Sequence, residues 1–188
     1  MADIEIVGDM GELEIVEPPE KVIPTQDPQR RVQPLKVISP HDLQVFIREQ
    51  ILREIVIHAK SNMGMELGGV LIGEHYRWKG QYWVLVDGYI KAEGYVNTAA
   101  SFKFTHDSWS QISREREKRF NDRPMVGWHH THPGYGVFLS HMDTFIQRNF
   151  FNLPYQVALV VDPRREEFGF FIWKGHKIEG VGCWYIHE

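Results

Sequence analysis

A single cysteine, Cys183, stands in 188 residues. An intrachain disulfide is therefore impossible, and a cysteine-rich zinc module is excluded with it. No apolar run approaches the ~20 residues that a membrane-spanning helix needs, so no membrane partner is expected. Basic residues do not outnumber acids: 21 Lys and Arg face 25 Asp and Glu, for a net charge of −4. That balance carries no nucleic-acid footprint. A phosphate-binding loop is missing too, because Gly68, Gly69 and Gly73 are followed by no Gly-Lys-Ser/Thr. Residues 1–20 hold Asp3, Glu5, Asp9, Glu12, Glu14, Glu17 and Glu20 and neither Lys nor Arg. Such a stretch reads as neither a signal peptide nor a transit peptide, and a cytoplasmic protein is the expectation.

What is present is globular: 43% hydrophobic and 13% aromatic residues, enough chain for one domain with a substantial core. Residues 1–36 stand apart. Pro18, Pro19, Pro24, Pro28 and Pro34, half of the prolines, fall there, and no helical or strand period lasts. The expectation is a disordered acidic tail over 1–36, or a linear motif that adds a strand to a partner, ahead of a domain at 37–188. Within the domain, Glu49–Lys60 has a helical apolar face, with Ile51, Leu52, Ile55, Val56 and Ala59, and carries His58 as a packing histidine. A Gly-rich strand follows Glu66. Tyr82–Ile90 reads as a second strand, Lys91–Ser101 as a loop and Asp107–Asn121 as a helix with a solvated mixed-charge face. A helix at His141–Phe151, strands at Gln156–Val161 and Phe168–Lys174, and an extended segment at Ile178–Ile186 complete an α+β domain. A mixed sheet with helices on its faces is expected.

The densest chemistry lies between Gly127 and Asp143. Val126, Gly127 and Trp128 lead into a strand on which His130 and His132 share a face while His129 points the other way. Pro133, Gly134 and Gly136 then force a loop. Ser140 opens a helix as its N-cap, with Asp143 three residues on, in the manner of a capping box. Two imidazoles and a carboxylate would leave one position of a tetrahedral zinc site open, the pattern of catalytic rather than structural zinc. The capping box explains Ser140 and Asp143 equally well without a metal. A hydrolytic site would further require a base, for which Glu66, a carboxylate among apolar neighbours, is the candidate.

The run His130-Thr131-His132-Pro133, six residues, Ser140, two residues, Asp143 resembles the JAMM motif of the JAB1/MPN/Mov34 metalloprotease family. Glu66-Leu-Gly-Gly-Val-Leu-Ile-Gly73 is similar to the segment that carries that family's catalytic glutamate. Val126-Gly-Trp128 and Ala158-Leu-Val-Val-Asp-Pro163 extend the likeness, which covers about residues 43–175. It implies a single MPN domain with a curved mixed sheet. It further implies one Zn²⁺ held by His130, His132 and Asp143, with Glu66 as general base and then proton donor. Ser140 would steady the tetrahedral intermediate, and Thr131 would orient the strand. The implied activity is an isopeptidase or peptidase acting after the C-terminal tail of a ubiquitin-like protein or its conjugates. Lys91–Ser101 would then add a strand to that tail, and an E1- or E2-like conjugation system would be a partner. The second insertion of the eukaryotic deubiquitinases is replaced by Arg164-Arg-Glu-Glu167, so the build resembles a prokaryotic stand-alone member. Two other readings are a non-catalytic MPN scaffold and a JAMM hydrolase of an amide unrelated to ubiquitin-like proteins.

Overall fold

The structure, a computed structural model, describes residues 3–6 and 13–187, with side chains from residue 17 onward. A short hairpin, β1 (Asp3–Ile6) and β2 (Leu13–Val16), comes first. The main sheet has nine strands, built from β3 (Val32–Leu35), β4 (Gln44–Arg48), β5 (Gly68–Trp78), β6 (Gln81–Lys91), β9 (Met125–Thr131), β10 (Val157–Asp162), β11 (Glu167–Lys174), β12 (Lys177–Val181) and β13 (Cys183–Ile186). β7 (Val96–Thr98) and β8 (Ser101–Lys103) form a separate hairpin. The helices are α1 (Glu49–Lys60), α2 (His106–Phe120) and α3 (His141–Phe150). The strand order is β12-β11-β10-β9-β5-β6-β4-β13-β3, mixed in direction as the sequence implied.

Strand alternation divides the core. Leu71, Val84, Val86, Val157, Leu159 and Val161 join Ile51, Leu52, Ile55 and Ala59 of α1. Val70, Ile72, Trp128 and Ala158 join Ile112 of α2 and Ile146 of α3 on the other face. Side chains one residue apart on a strand face opposite ways, so α1 lies against one face and α2 and α3 against the other. A register shift where β5 pairs with β9 re-phases β9, so that Val126 and Trp128 fall in different clusters.

The sheet curls. β12 and β13 are neighbours in sequence, separated only by Gly182, yet β12 is one edge and β13 lies beside the other. The α1-side core takes residues from both ends, including Phe170 and Ile172 of β11 and Cys183 of β13. Gly182 makes the crossing possible: its N–H donates to Val37 O, and a Cβ there would lie 2.5 Å from that oxygen. The single extended segment expected at Ile178–Ile186 is thus two strands. Cys183 is buried, and burial pushes its thiol up to about 12.

The domain boundary expected at 36/37 is corrected by the packing. Residues 17–36 are bound to the sheet: β3 pairs with β13, and Ile23 is buried in a third cluster with Phe46, Trp83, Leu85 and Ile186. Trp83 Nε1 donates to Lys21 O, and Arg77 pairs with Glu17 and Glu20. Prolines that forbid regular structure do not forbid a strap, because Ile23 and the β3 ladder supply the burial and the hydrogen bonds that order it. Residues 1, 2 and 7–12, the rest of the expected tail, lie outside the described residues together with 188.

His58 packs as expected. It is partly buried, and its Nδ1 shares a hydrogen bond of 2.7 Å with Tyr89 Oη. Burial, helped by Lys91, lowers its pKa to about 4. Between pH 6.5 and 4 the unfolded chain therefore binds a proton at this position that the folded chain does not. Stability from this group is complete above pH 6.5 and is lost as pH falls toward 4. Urea unfolding midpoints should drop across that window, and His58→Gln should flatten the drop.

Where β9 lies beside β10, a Cβ on Gly127 would stand 2.1 Å from Val157 O. Gly127→Ala should therefore cost about 2–4 kcal/mol. A thermal melt should show a Tm lower by about 5–15 °C.

Candidate metal centre

The site is assembled where β9 ends against α3. Trp128 and His130 sit on one face of β9 with their rings stacked, centroids 4.5 Å apart at 11°. Trp128 Nε1 donates to Gln147 Oε1 at 2.7 Å, and Gln147 Nε2 donates to Phe151 O and Gln156 O. Gln147 lies one helical turn after Asp143, so this buried chain sets α3 against β9 at the height of the site. Ser140 and Asp143 form the expected capping box: Ser140 Oγ accepts from the Asp143 N–H, and Asp143 Oδ2 accepts from the Ser140 N–H at 2.7 Å.

The same Asp143 oxygen faces both imidazoles. His130 Nε2 is 3.2 Å from Oδ2, His132 Nε2 is 3.3 Å from it, and the two nitrogens are 3.0 Å apart. A tetrahedral ion with bonds of about 2.0–2.1 Å needs donor-to-donor edges of about 3.3 Å. The triangle of donors therefore fits such an ion, and all three residues are buried. Cap and ligand cluster, alternatives in the sequence, coexist on one carboxylate. His129 points to the opposite face as expected, edge-on to Tyr89 with Nδ1 3.1 Å from Leu159 O.

Electrostatics follow from burial and proximity. Burial alone would raise the Asp143 carboxyl, but hydrogen bonds from His130, His132 and Ser140 hold it well below the usual carboxylate range. Burial lowers His130, against the pull of Asp143. His132 is also desolvated, yet Asp143 and Glu66 raise it on balance. His129 is driven well down by burial and by the neighbouring His130 and His58.

Glu66 is brought to the cluster from the far side. It is 3% exposed, and its Oε1 lies 3.8 Å from His132 Nε2. Burial raises its carboxyl to about 7, with His132 opposing and Asp143 reinforcing. Its neighbourhood is locked to β9: Gly68 pairs with His130, Thr131 Oγ1 accepts from the Leu67 N–H, and Thr131 N–H donates to Leu67 O. Thr131 thus ties the end of β9 to the residue after Glu66. The stretch Lys91–Ser101, expected as a loop, instead carries β7 and the turn of the β7–β8 hairpin, which grips Glu66 by its backbone. The Glu66 N–H donates to Thr98 O at 2.9 Å, and Asn97 Nδ2 donates to Glu66 O at 2.7 Å.

Five residues are thus gathered: His130, His132 and Asp143 as one donor set, Glu66 beside it, and Ser140 joined through Asp143. Sequence reasoning missed Trp128, Gln147 and Asn97 as supports. Only the aromatic placed two residues before His130 on the same strand face could have signalled one of them.

A curled mixed sheet that offers two imidazoles, a carboxylate and a buried glutamate at one strand end defines an α+β domain with a candidate cation centre. The JAB1/Mov34/MPN/PAD-1 ubiquitin protease family matches residues 41–153, and the chain belongs to that family. It is 31% identical over 122 residues to the 26S proteasome regulatory subunit RPN11 of Eremothecium gossypii, covering 63% of this chain and 38% of that one. It is 33% identical over 127 residues to the COP9 signalosome complex subunit 5 of Neurospora crassa, covering 64% and 36%. The chain thus matches well under half the length of these relatives. A solved structure of a protein from Desulfitobacterium hafniense shares the fold, with a TM-score of 0.55 at 20% identity over 77% of this chain and 93% of that one.

Co²⁺ added to metal-free protein should bind one to one and give the intense visible bands of a tetrahedral site. His130→Ala and Asp143→Asn should abolish them. Wild-type protein that takes up no Co²⁺ would remove the metal-centre reading.

Proposed function

We propose that the chain is a zinc-dependent isopeptidase or peptidase that cleaves after the C-terminal tail of a ubiquitin-like protein. The observation that carries this is the placing of Glu66 beside the donor triangle: a buried carboxyl whose Oε1 lies 3.8 Å from His132 Nε2. Membership in a family described as ubiquitin proteases supports it, as does similarity to the ubiquitin carboxyl-terminal hydrolase RPN11 of Saccharomyces cerevisiae, 31% identical over 122 residues.

In this reading His130, His132 and Asp143 hold Zn²⁺. Bound there, it supplies Lewis acidity and a water whose pKa is brought to about 7. Glu66 accepts the proton of the attacking water and returns it to the leaving amine. Its own burial keeps that proton exchangeable near neutrality. Ser140 Oγ accepts from the Asp143 N–H, so its own hydrogen is available to steady a developing oxyanion. No protein nucleophile is required, in keeping with a lone cysteine that is buried.

The surroundings suit an extended tail. The β7–β8 hairpin stands at Glu66 as a two-stranded unit outside the main sheet, so it can take on a further strand from substrate. The Phe138 ring lies 4.6 Å from the His132 ring and is exposed, and Tyr135, Met142 and Phe145, near it in sequence, are exposed as well. The turn that replaces the second insertion leaves little to contact the proximal partner, so selectivity between linkages should be weak.

Zinc-loaded protein should cleave a ubiquitin-like domain fused through a Gly-Gly end. Glu66→Gln should keep its zinc and lose about 10²–10⁴ in kcat. Wild-type activity in that variant would sink the role of Glu66. Cleavage of a small amide but of no Gly-Gly fusion would overturn the substrate class.

A further inference from the structure

We infer that Asp162 is a positioning residue for the metal centre: its carboxylate folds the 133–136 loop so that the Gly136 carbonyl holds His132 with Nε2 toward the ion. The inference rests on the metal-centre reading and adds to it a residue outside the donor set.

Asp162 ends β10, which runs parallel to β9, with Val161 opposite Thr131. The next residue of the β9 segment, His132, donates its N–H to Val161 O at 2.9 Å. The Asp162 side chain is therefore delivered beneath the loop that follows the metal ligands, and it is fully buried. Its two oxygens are shared between two tasks. Oδ1 accepts from the N–H groups of Arg164 and Arg165 at 3.0 and 3.1 Å, which closes its own turn. Oδ1 also accepts from Gly134 N–H at 2.9 Å, and Oδ2 accepts from Gly136 N–H at 2.7 Å. Arg165 Nε lies 3.5 Å from Oδ2.

The loop needs this anchor. Gly134 and Gly136 have φ of +91° and +88°, a region open to glycine that leaves their N–H groups pointing inward together. Buried N–H groups require acceptors, and a carboxylate with four lone-pair sites can serve all of these donors at once. Once Gly136 is fixed, its carbonyl lies 3.2 Å from His132 Nδ1. A carbonyl can only accept, so Nδ1 carries the hydrogen, and in the neutral imidazole Nε2 is then bare. Nε2 is the atom that faces His130 and Asp143. Outer groups that hold a ligating imidazole in this way fix its tautomer and orientation. His130 is held differently. It stacks on Trp128, and its Nδ1 has no hydrogen-bond partner among the described residues.

A purely structural Asp162 would need only the two turn contacts. The Gly134 and Gly136 contacts, and the asymmetry between the two histidines, distinguish the readings. Asp162→Asn separates them chemically. The amide keeps one accepting oxygen for the Arg164 and Arg165 turn but turns an NH₂ toward Gly136 N–H, donor against donor.

Zinc affinity of Asp162→Asn, measured by competition with a chromophoric chelator, should fall about 10–100-fold. In ¹⁵N NMR of zinc-loaded wild type, His132 should show a slowly exchanging Nδ1–H. In the variant that proton should exchange fast while the His130 signal stays in place. A folded Asp162→Asn with wild-type zinc affinity would overturn the inference. If the variant does not fold, the wild-type spectrum decides alone: ligation of zinc through His132 Nδ1, or a rapidly exchanging Nδ1–H, overturns it. Wild-type protein that binds no zinc would overturn the metal-centre reading, and this inference with it.

Discussion

One oxygen atom, Asp143 Oδ2, holds the site together. It accepts the Ser140 N–H at the start of α3 and stands within 3.3 Å of both His130 and His132. A helix N-terminus favours a negative charge, so the anion is stabilised by the helix before any cation arrives. Because the cap already fixes its rotamer, little conformational freedom remains to be lost when a cation binds. Helix entry and ligand geometry are thus one constraint.

The second half of the site, Glu66, comes from a distant stretch of chain, and the fold brings it there by backbone rather than by side chain. Thr131 and Leu67, 64 residues apart, exchange hydrogen bonds through both main chain and hydroxyl. The β7–β8 hairpin grips the other side of Glu66. The carboxyl is therefore held between two ladders, in a dry setting where its charge costs more than in water. Its position is therefore set by the fold alone, before any ligand arrives.

Much of this was legible in the sequence, for identifiable reasons. Alternation on β9 separated His130 and His132 from His129, because strand period is a local property. The capping box was visible because its two residues are three apart. Glu66 stood out as a carboxylate among apolar neighbours, but only resemblance tied it to the site, since nothing local relates it to a strand 64 residues on. The strap over residues 17–36 was hidden because its order comes from Ile23 meeting Phe46, Trp83 and Ile186, none of them near in sequence. Asp162 left no signature because its partners are backbone N–H groups, which any residue but proline supplies. Gly182 divided an apparently continuous segment into two strands for a reason that only the curled sheet provides.

β13 lies between β4 and β3. The third strand in the chain thus has its ladder partner only in the thirteenth. As the chain emerges from the ribosome, the strap can meet Phe46, Arg77 and Trp83 early, but β3 must wait unpaired until Cys183–Ile186 appear. Only then can the segment slot between β4 and β3 and close the sheet around α1. Native pairing at this edge therefore waits until the rest of the sheet has been made, and β3 is among the last strands to be secured.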